Sequence, residues 1–204
     1  MGVFRAELER MLESTITSNF NGLSEVLDKL DFEVSRGGIA RYHAILQFIV
    51  ALDLHRRGFD VSVEEPVDGV FKADVYAESP LGRVIVEVET GYVPPDRIHS
   101  LEEFLEAKMV FKAVAYSAYT DVFMIATPNH IKMPVPRELL IPVEDRDESD
   151  IMAIRELALR YDKSKASRIL WRAHLSRLDG IAYVNVMNQK VNYIIMADLG
   201  NIIL

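Results

Sequence analysis

The stretch Val70–Gly91, VFKADVYAESPLGRVIVEVETG, constrains the fold more than any other, because a turn holds its two β-rich arms against each other. Pro80 and Gly82 punctuate Ser79-Pro80-Leu81-Gly82, and β-branched residues fill the arms, so the pattern predicts a β-hairpin. On the second arm Glu87 and Glu89 are two apart and share a face, while Val86 and Val88 take the other. Asp74 on the first arm falls near Glu87 across the hairpin. Three carboxylates on neighbouring strands repel one another unless a positive charge stands between them. Hard oxygen donors of this kind suit Mg²⁺ or Mn²⁺ rather than zinc.

The elements around the hairpin follow from periodicity. Residues 3–31 read as helix in one or two pieces, with Phe4, Leu8, Met11 and Leu12 at helical spacing. Asn19-Phe20-Asn21-Gly22 interrupts them, and Leu23, Val26, Leu27 and Leu30 resume the pattern. After Gly37-Gly38 a helix apolar nearly all round runs from about Ile39 to Arg57, closed by Gly58. Residues 59–64 alternate as a first strand, stopped by Glu65-Pro66. Pro94-Pro95 breaks the chain, and Ser100 with Glu103 resembles a capping box opening a helix to about Ala118. Residues 120–127 form a short apolar strand.

Asp74, a turn, and then Glu87-Val88-Glu89 on a buried strand resemble the signature of the PD-(D/E)XK nuclease superfamily. Ala73 replaces the nominal Pro, and Glu89 stands where Lys is usual. The element order helix, three strands, helix, strand over residues 38–128 is also similar to the restriction-endonuclease-like core of that superfamily. The resemblance implies an α/β fold with a mixed sheet flanked by helices, and hydrolysis of DNA phosphodiester bonds. It implies Mg²⁺ or Mn²⁺ as cofactor, held by Asp74, Glu87 and the carbonyl of Val88, with Glu89 as a further catalytic group. Such ions polarise the scissile phosphate and lower the pKa of an attacking water. Glu89 would ligate a second ion or act as a base; alternatively it marks a non-cleaving member that binds nucleic acid or serves assembly. Members often bring a Lys, Gln or Tyr from the following helix, which points to Lys112 and Tyr116, with Lys108 one turn earlier competing. His43 lies where many relatives carry a Glu that assists metal binding; the alternative is a satisfied core histidine.

Beyond the core, residues 129–150 form a connecting arm with several prolines and an acidic run, Glu144 to Asp150, read as a solvated linker or helix start. Residues 151–178 read as a helix, broken near Asp162, rich in cations. Arg160, Lys163, Lys165, Arg168 and Arg172 could follow a phosphate backbone, or form the solvated face of a packed helix. Two alternating strands, 182–187 and 191–196, close the chain. The expected organisation is an N-terminal helical extension (1–37), the core (38–128), the arm (129–150), and a basic helix with hairpin (151–204) on the same core. The 204 residues, half of them hydrophobic, suffice for one full core. The net charge of −8 argues against indiscriminate coating of nucleic acid, though charge distribution rather than total decides this. Without cysteine there is no thiolate site or disulfide, and without a signal-peptide pattern or long apolar run the expectation is an intracellular, cytoplasmic protein away from membranes. Duplex cleavage by one metal site per chain implies pairing, so a homodimer is expected, with the N-terminal helices and terminal hairpin as interface material.

Overall fold

The central strand of the molecule is Gly82–Val88, whose last five residues are buried because helices cover both faces of its sheet. The computed structural model describes residues 3–13 and 22–196. In chain order these form helices α1 (Val3–Glu13), α2 (Ser24–Ser35) and α3 (Arg41–Arg56), then strands β1 (Asp60–Pro66), β2 (Lys72–Ser79) and β3 (Gly82–Val88). Helix α4 (Leu101–Tyr116) and strand β4 (Val122–Pro128) follow, then α5 (Arg137–Leu140), α6 (Glu148–Tyr161) and α7 (Lys163–Ala166), and finally strands β5 (Gly180–Asn185) and β6 (Lys190–Ile195). The interruption expected at Asn19-Phe20-Asn21 lies outside the described residues.

All six strands form one mixed sheet in sequence order. β1, β2 and β3 are antiparallel neighbours; β4 runs parallel to β3 and β5 parallel to β4; β6 returns antiparallel to β5. Alternation then divides the interior. Val84, Val86 and Val88 face a layer built from α1, α2 and α3, with Leu46, Phe48 and Leu52 fully buried. Ile85, Phe123 and Ile125 face α4 and α6 through Met109, Val110, Val114 and Ile154. Each fully buried Leu, Ile or Phe contributes roughly 1.5–3 kcal/mol through removal from water. Two such layers explain why α3 and α4 carry apolar residues on most of their circumference.

Several local expectations are corrected. Ser100 precedes α4 but makes no side-chain cap; its hydroxyl donates to the Arg97 carbonyl at 3.5 Å instead. The capping box belongs to α6, where Asp147 accepts from the Asp150 amide at 3.0 Å and Asp150 accepts from the Asp147 amide at 3.1 Å. The acidic run is therefore a helix start, where carboxylates meet unpaired amides. The basic segment breaks at Asp162 as expected, since Asp162 ends α6 and caps α7, but beyond it only the single turn of α7 and a 3₁₀ turn over Leu170–Leu175 are helical. The terminal hairpin continues the central sheet, burying Val184 and Val191. Tyr193 lies under the Arg57 guanidinium and donates to Asp53 at 2.8 Å. Of the interface expected there, Ile194 and Ile195 stay exposed. Among the described residues no helix is long and apolar enough to cross a membrane.

Candidate functional site

β2 and β3 pair regularly from Ser79↔Gly82 to Val75↔Val86, and the next step of that register sets Asp74 opposite Glu87. There side chains take over from the ladder. The Asp74 amide donates to Glu87 Oε1 at 2.9 Å, and the Val88 amide donates to Asp74 Oδ2 at 2.7 Å. Two backbone donors that lose their strand partners are thus satisfied by the two carboxylates, which fixes both side chains. Glu89, one residue past β3, is held by its own amide, which donates to the Ala126 carbonyl at 2.7 Å. The site consequently lies at the C-terminal end of β3, beside the end of β4, where parallel strands and their crossover leave room for ligands.

Helix α4 supplies the positive charge. Lys112 Nζ stands 2.7 Å from Glu89 Oε1, 3.1 Å from Glu87 Oε2, 3.6 Å from Asp74 Oδ2 and 3.3 Å from the Val88 carbonyl oxygen. Lys108, one turn earlier, pairs with Glu89 Oε2. Geometry distinguishes the two lysines: Lys112 reaches all three carboxylates, and Lys108 pairs with Glu89. Tyr116 lies beside this cluster without touching a carboxylate; its hydroxyl donates to the Lys72 carbonyl at 3.0 Å.

Helix α3 approaches from the other layer. His43 Nε2 lies 3.1 Å from Asp74 Oδ1, and Gln47 Nε2 donates to the same oxygen at 3.1 Å. Gln47 Nε2 also donates to Glu64 Oε1 at 2.7 Å. Glu64 is the residue that sequence reasoning missed. It sits between the pairs Val63↔Val75 and Glu65↔Ala73, in the register position opposite Asp74, and has φ of 49°. A left-handed conformation in a strand is strained for a glutamate. In sequence Glu64 merely ends an alternating run, and no local signal distinguishes it from Ser62 or Glu65. The ligand atoms of His43, Glu64 and Asp74 all lie within 4.8 Å of one another.

Burial and charge act in opposition on these groups. Burial raises the Glu87 carboxyl and the Asp74 charge raises it further, against the pull of Lys112, so that it is pushed up to about 8. Burial also disfavours ionised Asp74, but Lys112, His43 and the Val88 amide together hold it well below the usual carboxylate range. Lys112 is raised, because Glu89, Glu87 and Asp74 outweigh its desolvation. Glu64 is raised chiefly by burial. One carboxylate fixed ionised beside one inclined to hold a proton is an arrangement suited to proton transfer at neutral pH.

The remaining basic residues separate into two groups. Arg160, Lys163, Lys165 and Arg168 are exposed. Arg172 instead turns inward, 3.4 Å from Asp68 and stacked near Tyr119 and Trp171, and Arg177 pairs with Asp179 at 3.0 Å. No family model matches the chain, and neither a curated protein nor a solved structure matches it.

Proposed function

We propose that this chain is a metal-dependent nuclease of the PD-(D/E)XK type, with a restriction-endonuclease-like core, hydrolysing phosphodiester bonds in DNA. One observation carries the proposal: Asp74, Glu87 and Glu89, drawn from two strands and a loop, converge within 3.6 Å of the Lys112 ammonium of α4 at the end of β3. The donor set fits Mg²⁺ or Mn²⁺, since carboxylate oxygens of Asp74 and Glu87 and the Val88 carbonyl all face one point. That point is where Lys112 Nζ now sits, so ion binding there requires the ammonium to withdraw toward Glu89. A bound ion would neutralise charge on the scissile phosphate and lower the pKa of its water. The chain's own residues do the rest. Lys112, held by Glu89, supplies from α4 the cation that the motif otherwise carries two residues after Glu87. Glu87, whose burial in the ion-free chain favours its protonated form, would give up that proton as the ion binds. His43 and Gln47 hold Asp74 in place. The exposed Arg160, Lys163, Lys165 and Arg168 are the proposed DNA contacts, and a homodimer would present two sites to the two strands.

A second reading has its own support. Lys112 and Lys108 already neutralise Glu87 and Glu89, which is what a metal-free, non-cleaving module on this fold would need. The two separate on supercoiled, linear, single-stranded and branched DNA incubated with Mn²⁺. Cleavage of any form that is lost in Glu87→Gln supports hydrolysis. Binding without cleavage throughout, with activity appearing in Glu89→Lys, supports the inactive module.

A further inference from the structure

Residues 163–178 include Lys163, Lys165, Arg168, Arg172 and Arg177 and no acid, in a chain whose net charge is −8. Ala166, Ile169, Ala173 and Ser176 are buried, and their helical spacing seats one side of this segment on the core. The other side is an exposed ridge of Lys163, Lys165, Arg168, Trp171 and His174. Lys163 and Arg168 form no ion pair among the described residues, and Lys165 meets Asp162 of its own turn at 3.7 Å. The positive charge of the ridge is therefore left largely to solvent.

Trp171, the one tryptophan of the chain, stands in the middle of the ridge and is 62% exposed, although this residue type is on average well buried. Its ring is nonetheless held. The Arg172 guanidinium lies over it, 4.8 Å from the ring centroid, and over the Tyr119 ring at 4.7 Å. Asp68 fixes Arg172 at 3.4 Å and accepts from the Tyr119 hydroxyl at 2.7 Å through the same oxygen. The ridge also follows α4. At its start Tyr161 packs on Phe104 and Phe111, with ring centroids 5.6 Å and 5.1 Å away, and further along Arg172 donates to the Ala115 carbonyl at 3.5 Å. At about 3.6 residues per turn those three α4 residues share a face, and Lys108 and Lys112 lie within about a quarter turn of it. The ridge thus passes beside the stretch of α4 that brings both lysines to the carboxylates.

We propose that this ridge binds single-stranded DNA, with Trp171 stacking on an unpaired base while Lys163, Lys165 and Arg168 follow the phosphates, so that the preferred substrates carry an unpaired stretch beside the bond that is cut. The inference rests on the nuclease proposal for the cutting, but not for the binding. An acid-free strip selects a polyanion over a protein partner. The indole then selects among polyanions. A duplex keeps its base faces stacked on one another, whereas a single strand offers them to an aromatic ring. Anchorage by Arg172 and Asp68 means that the ring is already in place before a base arrives, so little freedom is lost on binding.

The test is oligothymidylate titrated into the full chain in chelator, with tryptophan emission and the anisotropy of a labelled strand read together. Excited where tyrosine does not absorb, the emission reports Trp171 alone. The expected result is quenching as the strand binds, with far less from an abasic strand or a duplex of the same length. Trp171→Ala should weaken oligothymidylate binding on the order of tenfold with its salt dependence unchanged, because a stacking contact is lost and no phosphate contact. Trp171→Phe should recover most of that loss. Thermal melting establishes that the variants are folded; should either fail, quenching in the wild type still decides. No binding of oligothymidylate, binding without quenching, equal quenching by the abasic strand or the duplex, or unaltered affinity in a folded Trp171→Ala overturns the proposal. Cleavage in Mn²⁺ is scored separately. Quenching by single strands with no cleavage of any DNA sinks the nuclease proposal and leaves the ridge standing. Cleavage dependent on Glu87, with no quenching, does the reverse.

Discussion

Replacing Glu87 with Gln should remove a pH-dependent loss of stability that the native chain suffers between pH 5 and pH 8. In the folded protein the Glu87 carboxyl is pushed up to about 8, by burial first and by the Asp74 charge second, whereas the ordinary value is 4.5. The folded state therefore keeps a proton that the unfolded chain gives up. The stability from this group is fully present below pH 4.5, declines as pH rises, and is lost once pH passes about 8. At about 1.4 kcal/mol per pH unit, and allowing for proton sharing with Asp74 and Lys112, the decline from pH 5 to pH 8 is on the order of 3 kcal/mol. Asp74 acts in the opposite sense. Its pKa is lowered from 3.8, so the stability it gives is present above that value and lost only in acid below the window. Glu64 is raised and adds to the decline, but equally in both proteins. Urea unfolding in chelator, at half-unit steps from pH 5 to 8.5, measures the slope. Wild type should lose on the order of 3 kcal/mol more than Glu87→Gln across this range, the shared Glu64 slope remaining in both, whatever constant offset the amide introduces beside Lys112. Parallel curves would refute the reasoning, because Glu87 would then titrate alike in both states.

Lys112→Met should destabilise the chain by roughly 3–5 kcal/mol in urea unfolding near pH 7.5, since it strips the shared cation from buried Glu87 and Glu89 and from the partly buried Asp74, and it should abolish cleavage. Reversing Lys165 and Arg168 to Glu should weaken DNA binding and lower its salt dependence by about two charges in a fluorescence titration, with melting temperature unchanged. Arg172→Glu should instead lower melting temperature, because its guanidinium is bonded to Asp68. Light scattering at micromolar concentration should give twice the chain mass if the sites pair, and a monomer mass with and without DNA would exclude the homodimer.

The hairpin was legible because its signals are local. Alternation over residues 83–89 and the Pro–Gly turn set the register, and the register alone brings Asp74 to Glu87. Lys112 was legible as a residue of the following helix, although its choice over Lys108 depended on where α4 crosses β3. Glu64 was not legible, since its role comes from a left-handed backbone and from lying opposite Asp74, neither of which leaves a mark in the sequence. The basic segment misled for a related reason. Composition counts cations but cannot tell that Arg172 meets Asp68, 104 positions away, while Arg168 faces solvent. Likewise Val184 and Val191 advertise an apolar hairpin without saying whether its own core or a second chain covers it; here they pack in the layer that α1, α2 and α3 build on the sheet.

The most direct measurement is the rate of nicking of supercoiled plasmid by purified wild type and Asp74→Asn, in Mn²⁺, in Ca²⁺ and in chelator. Asp74 is contacted from both α3 and α4, and its carboxylate is among the proposed ion ligands. The account predicts nicking by wild type in Mn²⁺, binding without nicking in Ca²⁺, no reaction in chelator, and a loss of at least a hundredfold in Asp74→Asn. Nicking by a folded Asp74→Asn at the wild-type rate would contradict it.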